Sequence, residues 1–516
     1  MQVAGNEGPG YGSVRLASAA GRWVLAVAVL GDSMILLEAT VVNVALPTIG
    51  RDLGAGVAGL QWTLNGYVLT LAAFVLVGGS LSDIYGRRRI FILGTVVFVA
   101  ASALCAAAPT IGLLIGARFV QGIGGALLTP GSLAIIEAVF HPDDRTRAIG
   151  AWAGLGAVAG AIGPTVGGYL TDALSWRAVF LINLPVGGFV VVAAILHVPE
   201  TRDPTRGGLD LGGAALAALA IAGVCFALIE ASGGLTAVIA ASAIGLAAAA
   251  GFVAVERRAR HPMLPLELFR SRQFASANLL ALVTYAALGG VIFLFVAFLQ
   301  ITLGYTALQA GAATLPITLL LLTLSTPSGA IAQRIGPRIP LTVGAVLTGA
   351  GLLLMAQIHP GDRYLPAVLP PLIVFGVGLG VLITPITATV LASVDSRHSG
   401  IASAVNNALS RLGQMIAVAA LPLAAGLSGA AFEDPARMAA GFPVAMRVAA
   451  GAAFAAALLA WTTISSDVLS QSGSGTQQVP KDLAPSLKRH CPVAGTPLAA
   501  SLDSPPSSRP PTAKEP

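Results

Sequence analysis

The sequence predicts an all-α polytopic membrane protein, and three observations carry that prediction. Fourteen apolar stretches fill nearly all of the chain between Arg22 and Asp467. The 516 residues are 55% hydrophobic and only 10% charged, with a mean hydropathy of +0.83. The charged residues sit almost wholly in the gaps between the apolar stretches. A run of about 20 apolar residues covers the roughly 30 Å hydrocarbon layer, and lipid offers the backbone no hydrogen-bond partner, so each run is expected to be a helix. Water-facing domains of this composition are excluded, and function must concern what crosses, or is sensed across, a bilayer.

In chain order the spans are expected near 23–46, 60–80, 90–108, 111–138, 148–171, 178–197, 211–230, 235–255, 276–300, 309–331, 339–358, 367–391, 400–424 and 443–464. An even count returns both termini to one side. With the N-terminus in the cytoplasm, seventeen loop arginines lie inside before the tail is counted, against Arg51, Arg177, Arg363, Arg437 and Arg447 outside. That bias is what the positive-inside rule requires. The net charge of +6 and pI near 9.5 therefore report topology and not a nucleic-acid-binding face. Cys105 and Cys225 lie inside apolar runs and Cys491 stands alone in the tail, so neither a disulfide framework nor a metal site is expected. The first 21 residues lack an apolar core followed by a small-residue cleavage site, and the first span is expected to act as its own insertion signal.

One internal repeat is visible. Gly79-Ser-Leu-Ser-Asp83-Ile-Tyr-Gly86-Arg87-Arg88 recurs 250 residues later as Gly329-Ala-Ile-Ala-Gln333-Arg334-Ile-Gly336-Pro337-Arg338, each copy following an apolar span on the cytoplasmic side. Equivalent copies make spans 1–6 and 9–14 two parallel six-helix halves, with spans 7–8 inserted between them. The expected organisation is an N-terminal cytoplasmic segment (1–21), a six-helix bundle (22–200), a linker holding two extra helices (201–272), a second six-helix bundle (273–464) and a Ser-, Pro- and Gly-rich disordered cytoplasmic tail (465–516).

Ionisable residues deep in a membrane are costly and are functional hypotheses by default. The first span carries Asp32 and Glu38. At 1.5 Å per residue, Glu38 lies about 12 Å from the outer end of its helix and Arg118 about 10 Å from the same face, while Asp32 and Arg411 lie about 15 and 16 Å from the inner face. The two acids are some 120° apart on the helix wheel, so they face different surroundings. Glu38 with Arg118 reads either as a static pair that specifies packing or as a proton site, because one carboxylate cannot hold a proton and a cation together. Asp32 reads either as a second titrating site or as an acid that hydrates a cavity.

Span 5 places Gly156, Gly160, Pro164 and Gly168 at intervals of four, with Gly163 and Gly167 beside them, leaving a stripe on which another helix can approach the backbone. Pro164 within that stripe suggests a kink or a sliding contact. In the loop after span 2, Gly79 and Asp83 precede a turn glycine, Gly86, and the run Arg87, Arg88 and Arg89. Glu137, near the cytoplasmic end of span 4, is a candidate partner for those arginines or a side chain that snorkels to the interface.

These residues resemble the major facilitator superfamily, and within it the fourteen-helix drug:proton antiporters. Gly79 to Arg88 is similar to the superfamily's loop 2–3 signature, and Arg118, Gln121, Gly122, Gly124 and Gly125 to its helix 4 signature. Gly160, Gly163, Pro164, Gly167 and Gly168 resemble the helix 5 motif of antiporters. The branch is suggested by Leu37-Glu38-Ala-Thr40-Val-Val-Asn43-Val-Ala45-Leu46-Pro47, by Ser175-Trp176-Arg177-Ala-Val-Phe180-Leu-Ile-Asn183-Leu-Pro185 and by Leu209-Asp210. The resemblance implies two six-helix bundles plus two extra helices, a central cavity, alternating access by rocking halves, and export of apolar or cationic small molecules in exchange for protons. Glu38 would be the protonation or cation site and Arg118 its partner, with Asp32, Asn43, Gln121 and Arg411 in the coupling and binding region. Asp83 and the loop arginines would latch onto the other half near Ser399 and Gly400. Two departures stand out: the family usually has Asp where this chain has Glu38, and the second half retains no midmembrane acid, which argues against divalent cations as substrates.

The remaining expectations follow from absences in the sequence. No Gly-x-x-x-x-Gly-Lys-Ser/Thr loop is present, so ion coupling rather than ATP hydrolysis must supply work. No nucleophile-and-base constellation suggests an enzyme, and no cofactor is implied. The expected partners are a small-molecule substrate, protons and the lipid bilayer, with no nucleic acid and a monomer as the working unit. A dedicated exporter of one metabolite, natural product or lipid is the rival within transport; a non-transporting receptor or scaffold is the rival outside it. The Arg-over-Lys and Ala-rich composition fits a bacterial plasma membrane.

Overall fold

A computed structural model describes residues 12, 14–202, 211–231, 234–258, 266–395 and 399–469. The expectation of a disordered tail falls, from residue 470 on, outside the described residues. Among the described residues, helices follow the expected order: α1 (Ala19–Leu53), α2 (Val57–Tyr85), α3 (Arg87–Ala107), α4 (Ile111–Val139), α5 (Pro142–Ala173), α6 (Ala178–His197), α7 (Leu211–Ile229), α8 (Leu235–Arg258), α9 (Arg272–Ile301), α10 (Ala307–Ile335), α11 (Arg338–Met355), α12 (Tyr364–Ala392), α13 (Ser399–Ala424) and α14 (Pro435–Thr463). Twelve of these are each long and apolar enough to cross a membrane, and α2, which is bent, makes a thirteenth. The remaining helix, α13, is more polar, carrying Asn406, Asn407, Ser410, Arg411 and Gln414.

Several helices outrun their apolar stretches. The 35-residue α1 begins after Ser18, whose hydroxyl accepts the Gly21 N–H at 3.0 Å, and ends at Gly54 in the left-handed region at φ 59°. The last helix starts eight residues before the expected position because Asp434 caps the Ala436 and Arg437 amides. Hydropathy marks only the lipid-crossing section of a helix; its ends are set by the residues that satisfy the last backbone groups.

The two sets of six helices pack alike. In the first, α1 lies on α5, α4 on both α2 and α3, and α3 on α6; in the second, α9 lies on α13, α12 on both α10 and α11, and α11 on α14. The correspondence reaches single contacts. A Cβ on Gly94 would strike the Gly124 carbonyl and Leu128, and one on Gly344 would strike the Gly378 carbonyl and Leu382. The two repeat loops each turn on a glycine with positive φ, Gly86 at 113° and Gly336 at 82°. The additional helices α7 and α8 meet each other at Gly223 and Gly245, and α7 leans on both α2 and α13.

The core is divided unevenly along the helices. At the arginine-poor ends a single apolar cluster joins both halves, from Val41–Ile49 of α1 to Val291–Leu299 of α9. Toward the arginine-rich ends each half has its own cluster, around Phe91 and Phe98 in the first and around Phe274 and Leu341 in the second. The halves are thus sealed together at one face and separately packed at the other.

Candidate functional site

A fully buried polar centre lies inside the first bundle. Glu38 of α1 and Arg118 of α4 are 0% and 1% exposed, and Arg118 Nη1 donates to Glu38 Oε1 at 2.5 Å. The depth match read from the sequence therefore corresponds to a direct ion pair. Arg118 also donates from Nε to the Thr63 carbonyl at 2.9 Å and from Nη1 to Gln121 Oε1 at 2.6 Å. Asn183 of α6 donates from Nδ2 to Glu38 Oε2 at 2.7 Å, so both carboxylate oxygens are engaged. Ser102 of α3 accepts from Gln121 Nε2 at 2.8 Å and from Asn183 Nδ2 at 3.3 Å. The guanidinium lies over the rings of Tyr67 and Phe180, 4.4 and 5.8 Å from their centroids. A charge pair this dry is tolerable because its hydrogen-bonding capacity is met from every side.

Asp32 occupies a different setting. It is 8% exposed, and a Cβ on Gly156 would lie 3.3 Å from its Oδ2. Arg411 of α13 is within electrostatic reach of Asp32, Tyr67 and Tyr285. Among the described residues the two charges form no direct ion pair.

Between the halves lies a cavity of about 520 Å³. Its walls come from α1 (Leu36, Ala39, Thr40, Asn43, Val44), α5 (Gly156, Ala157, Gly160, Ala161, Pro164), α9, α10, α12 and α13. Thr40, Asn43, Tyr285, Ser325 and Gln414 supply polar groups; among the described residues that line it none is charged. Of the expected coupling residues only Asn43 lines it, and Glu38, Arg118 and Gln121 stand behind the wall. A second cavity, of about 600 Å³, opens at the arginine-poor end among Arg51, Asp172, Gln300, Tyr305 and Glu433.

The glycine stripe of α5 serves two neighbours. Gly156 and Gly160 face Leu36, Gly163 faces Thr40 and Gly167 faces Val41, all on α1. Gly168 instead lies against Ala307 and Leu308 of α10, and the Pro164 carbonyl abuts Gly311. The same end is tied across the halves by Asp172, whose carboxylate accepts the Ala307 and Leu308 amides at 3.2 and 2.8 Å, and by Gln300, which donates to the Val44 carbonyl at 2.9 Å.

At the arginine-rich end, Asp83 accepts from Arg87 Nη2 at 2.9 Å and Nε at 3.0 Å, and Gly79 packs on Pro130. The expected partnership of Glu137 with the loop arginines is corrected here. Glu137 is exposed on α4 and pairs with none of them; Arg87 reaches α4 one turn earlier, at the Ala134 carbonyl. Glu200 takes that place, accepting the Arg88 amide at 3.1 Å and lying 3.7 and 3.6 Å from Arg88 Nε and Arg89 Nε. Gly86 is required beside it, since a Cβ there would meet the Glu200 carboxylate in addition to the strain of φ 113°. Of the proposed anchor point for this loop, the side chains of Ser399 and Gly400 lie outside the described residues.

Sequence reasoning did not assign roles to Ser102, Asn183, Asp172 or Glu200. Asn183 stood inside a quoted motif, and a lone amide in an apolar helix was its available signal. Asp172 and Glu200 sit at helix ends, where an acid has many ordinary explanations.

With this geometry in hand, residues 28–418 match the sequence profile of the Major Facilitator Superfamily. The chain is 36% identical over 408 residues to the multidrug resistance protein Stp of Mycobacterium tuberculosis, covering 77% of this chain and 75% of that one. It is 37% identical over 417 residues to a probable actinorhodin transporter of Streptomyces coelicolor, covering 78% and 72%. Among solved structures it resembles a bacterial homolog of the human lysosomal transporter Spinster, in an inward-facing and unoccupied conformation, with a TM-score of 0.64 at 16% identity over 88% of this chain and 99% of that one.

Proposed function

The chain belongs to the Major Facilitator Superfamily, and we propose that it is a proton-coupled efflux transporter, exporting apolar or cationic small molecules by alternating access. It is a transport protein and not an enzyme. The observation that carries the reading is a buried Glu38–Arg118–Asn183 network set directly behind the wall of an uncharged cavity between two halves. A carboxylate there can exchange a proton for its Arg118 partner without facing the substrate, so protonation acts on packing between helices rather than by direct competition.

The arginine-rich face is then cytoplasmic, with both termini on that side of a bacterial plasma membrane, and a monomer suffices. The names of the bacterial relatives, a multidrug resistance protein and an actinorhodin transporter, support export. The second of those names also favours the narrower reading, a dedicated exporter of one natural product. Asp83, Arg87 and Glu200 act as the cytoplasmic latch, and the α5 glycines form the surface on which the halves pivot. One proton crossing about 100 mV gains about 2.3 kcal/mol, and each pH unit adds about 1.4 kcal/mol, enough to sustain a gradient of several hundredfold.

The test is ethidium transport by the full-length protein in proteoliposomes under an imposed pH gradient. Wild type is expected to accumulate dye against its gradient, while Glu38→Gln exchanges dye across the membrane but no longer accumulates it. A Glu38→Gln protein that still accumulates dye would remove Glu38 from the coupling role. A wild type that moves neither ethidium nor any of a panel of uncharged dyes would shift the reading to the dedicated exporter.

A further inference from the structure

The geometry points to the Tyr67 hydroxyl as the proton relay between Glu38 and Asp32, a role that rests on the proton-coupled reading above. The need for a relay comes from the conformation. Both halves share one core at the arginine-poor end, and Glu38 is 0% exposed, so a proton on Glu38 touches neither solvent nor cavity. Asp32 is 8% exposed and adjoins Gly156, which lines the cavity. Six residues of α1 separate the two acids, a rise of about 9 Å, too far for direct transfer.

Tyr67 of α2 enters that interval from the Glu38 end. Its ring lies under the Arg118 guanidinium, 4.4 Å from centroid to Cζ, which places one face at the Glu38 centre. Its hydroxyl lies beside Gly125, where a Cβ would be 3.6 Å away; Gly125 is seven residues beyond Arg118 on α4, about 10 Å toward the arginine-rich end. The side chain is 0% exposed, and its hydroxyl has no hydrogen-bond partner among the described residues. A buried hydroxyl left without a partner costs about 1–3 kcal/mol, so its retention calls for a use. Glu38 and Asp32 from α1, Arg118 from α4 and Arg411 from α13 all act electrostatically on Tyr67. Tyr285 of α9 lies within electrostatic reach of Arg411, and Cys105 of α3 donates to Gln121 beside the Glu38 pair; these are the other titratable groups of the described residues that act on these centres.

The transfer balances without ionising the phenol. The O–H bond of protonated Glu38 breaks as its proton moves to the Tyr67 oxygen; the phenolic O–H breaks as that proton moves to the Asp32 carboxylate. Tyr67 is neutral before and after, Glu38 becomes the carboxylate that Arg118 and Asn183 already accommodate, and Asp32 releases its proton to the cavity. Because the hydroxyl bonds neither carboxylate directly, each hop runs through an intervening water, and rotation of the hydroxyl resets the relay.

Tyr67→Phe removes the hydroxyl and keeps the ring under Arg118. In proteoliposomes containing the full-length protein, gradient-driven ethidium transport is expected to fall about tenfold or more, while ethidium counterflow and binding stay within about twofold of wild type. Asp32→Asn removes the acceptor on the same path, so the double variant should be no slower than the slower single one. Driven transport that survives in Tyr67→Phe overturns the relay, as does an equal fall in driven transport and counterflow, which is the mark of a packing role. Multiplying losses in the double variant, with rates expressed per folded transporter so that a folding defect of Tyr67→Phe drops out, overturn it as well. If wild type itself shows no proton-driven transport, the coupling premise has failed and the relay goes with it, whereas an active wild type beside an unimpaired Tyr67→Phe defeats the relay alone.

Discussion

Glu38 and Asp32 sit six residues apart on α1 and carry the same charge, yet the fold treats them oppositely. Glu38 is enclosed by α3, α4 and α6, with one oxygen on Arg118 and the other on Asn183. Asp32 adjoins Gly156, a residue of the cavity wall, and feels its opposite charge, Arg411, only across a distance. The first centre holds its charge in a closed hydrogen-bonded network, and the second leaves its charge partly open. On the proposed proton-coupled reading, the two properties an antiporter needs are divided between two residues on one helix.

The division can be broken most sharply at Arg118. Arg118→Gln leaves Glu38 without its cation in a dry site, and removal of one partner of a buried pair costs about 3–5 kcal/mol. A large fall in thermal stability in detergent is expected at neutral pH, with part of it recovered by adding Glu38→Gln; an unchanged melting temperature would show that the pair is hydrated after all. A smaller loss is expected at Asn183. Asn183→Leu keeps the volume but strips Glu38 Oε2 and Ser102 of a donor, at a cost of about 1–3 kcal/mol, and ethidium accumulation should weaken with it. The smallest stability effect is expected at Asp32→Asn, within about 1 kcal/mol, because no closed ion pair is lost. Its driven transport should nonetheless fall, and a variant that matched wild type in both respects would reduce Asp32 to an acid that merely hydrates the cavity.

Much of this contrast was legible before any coordinates. The two acids, their separation on the helix wheel and the depth agreement with Arg118 and Arg411 follow from a rise of about 1.5 Å per residue. What depth could not supply was azimuth. Two residues at one level of a bundle meet only if their helices are neighbours turned toward each other, which is why Glu38–Arg118 became contact and Asp32–Arg411 did not. Glu137 illustrates the same limit, since it is exposed on α4 and pairs with none of the loop arginines, and Glu200, more than one hundred positions from them in the chain, is the acid that meets Arg88 and Arg89.

The chain by itself determined that it spans a membrane, in which order its helices run, that its two halves repeat and which few charges lie within the apolar spans. These are one-dimensional properties, set by the cost of bringing peptide groups and charges into hydrocarbon. Only the tertiary structure decided that the described residues lining the cavity bear no charge, that Asn183 and Ser102 complete the Glu38 centre, that Asp172 ties the halves together and that the Tyr67 hydroxyl is buried without a partner. Each depends on how far a helix is rotated about its axis, which is set by the packing of every neighbour at once and is written in no local stretch of sequence.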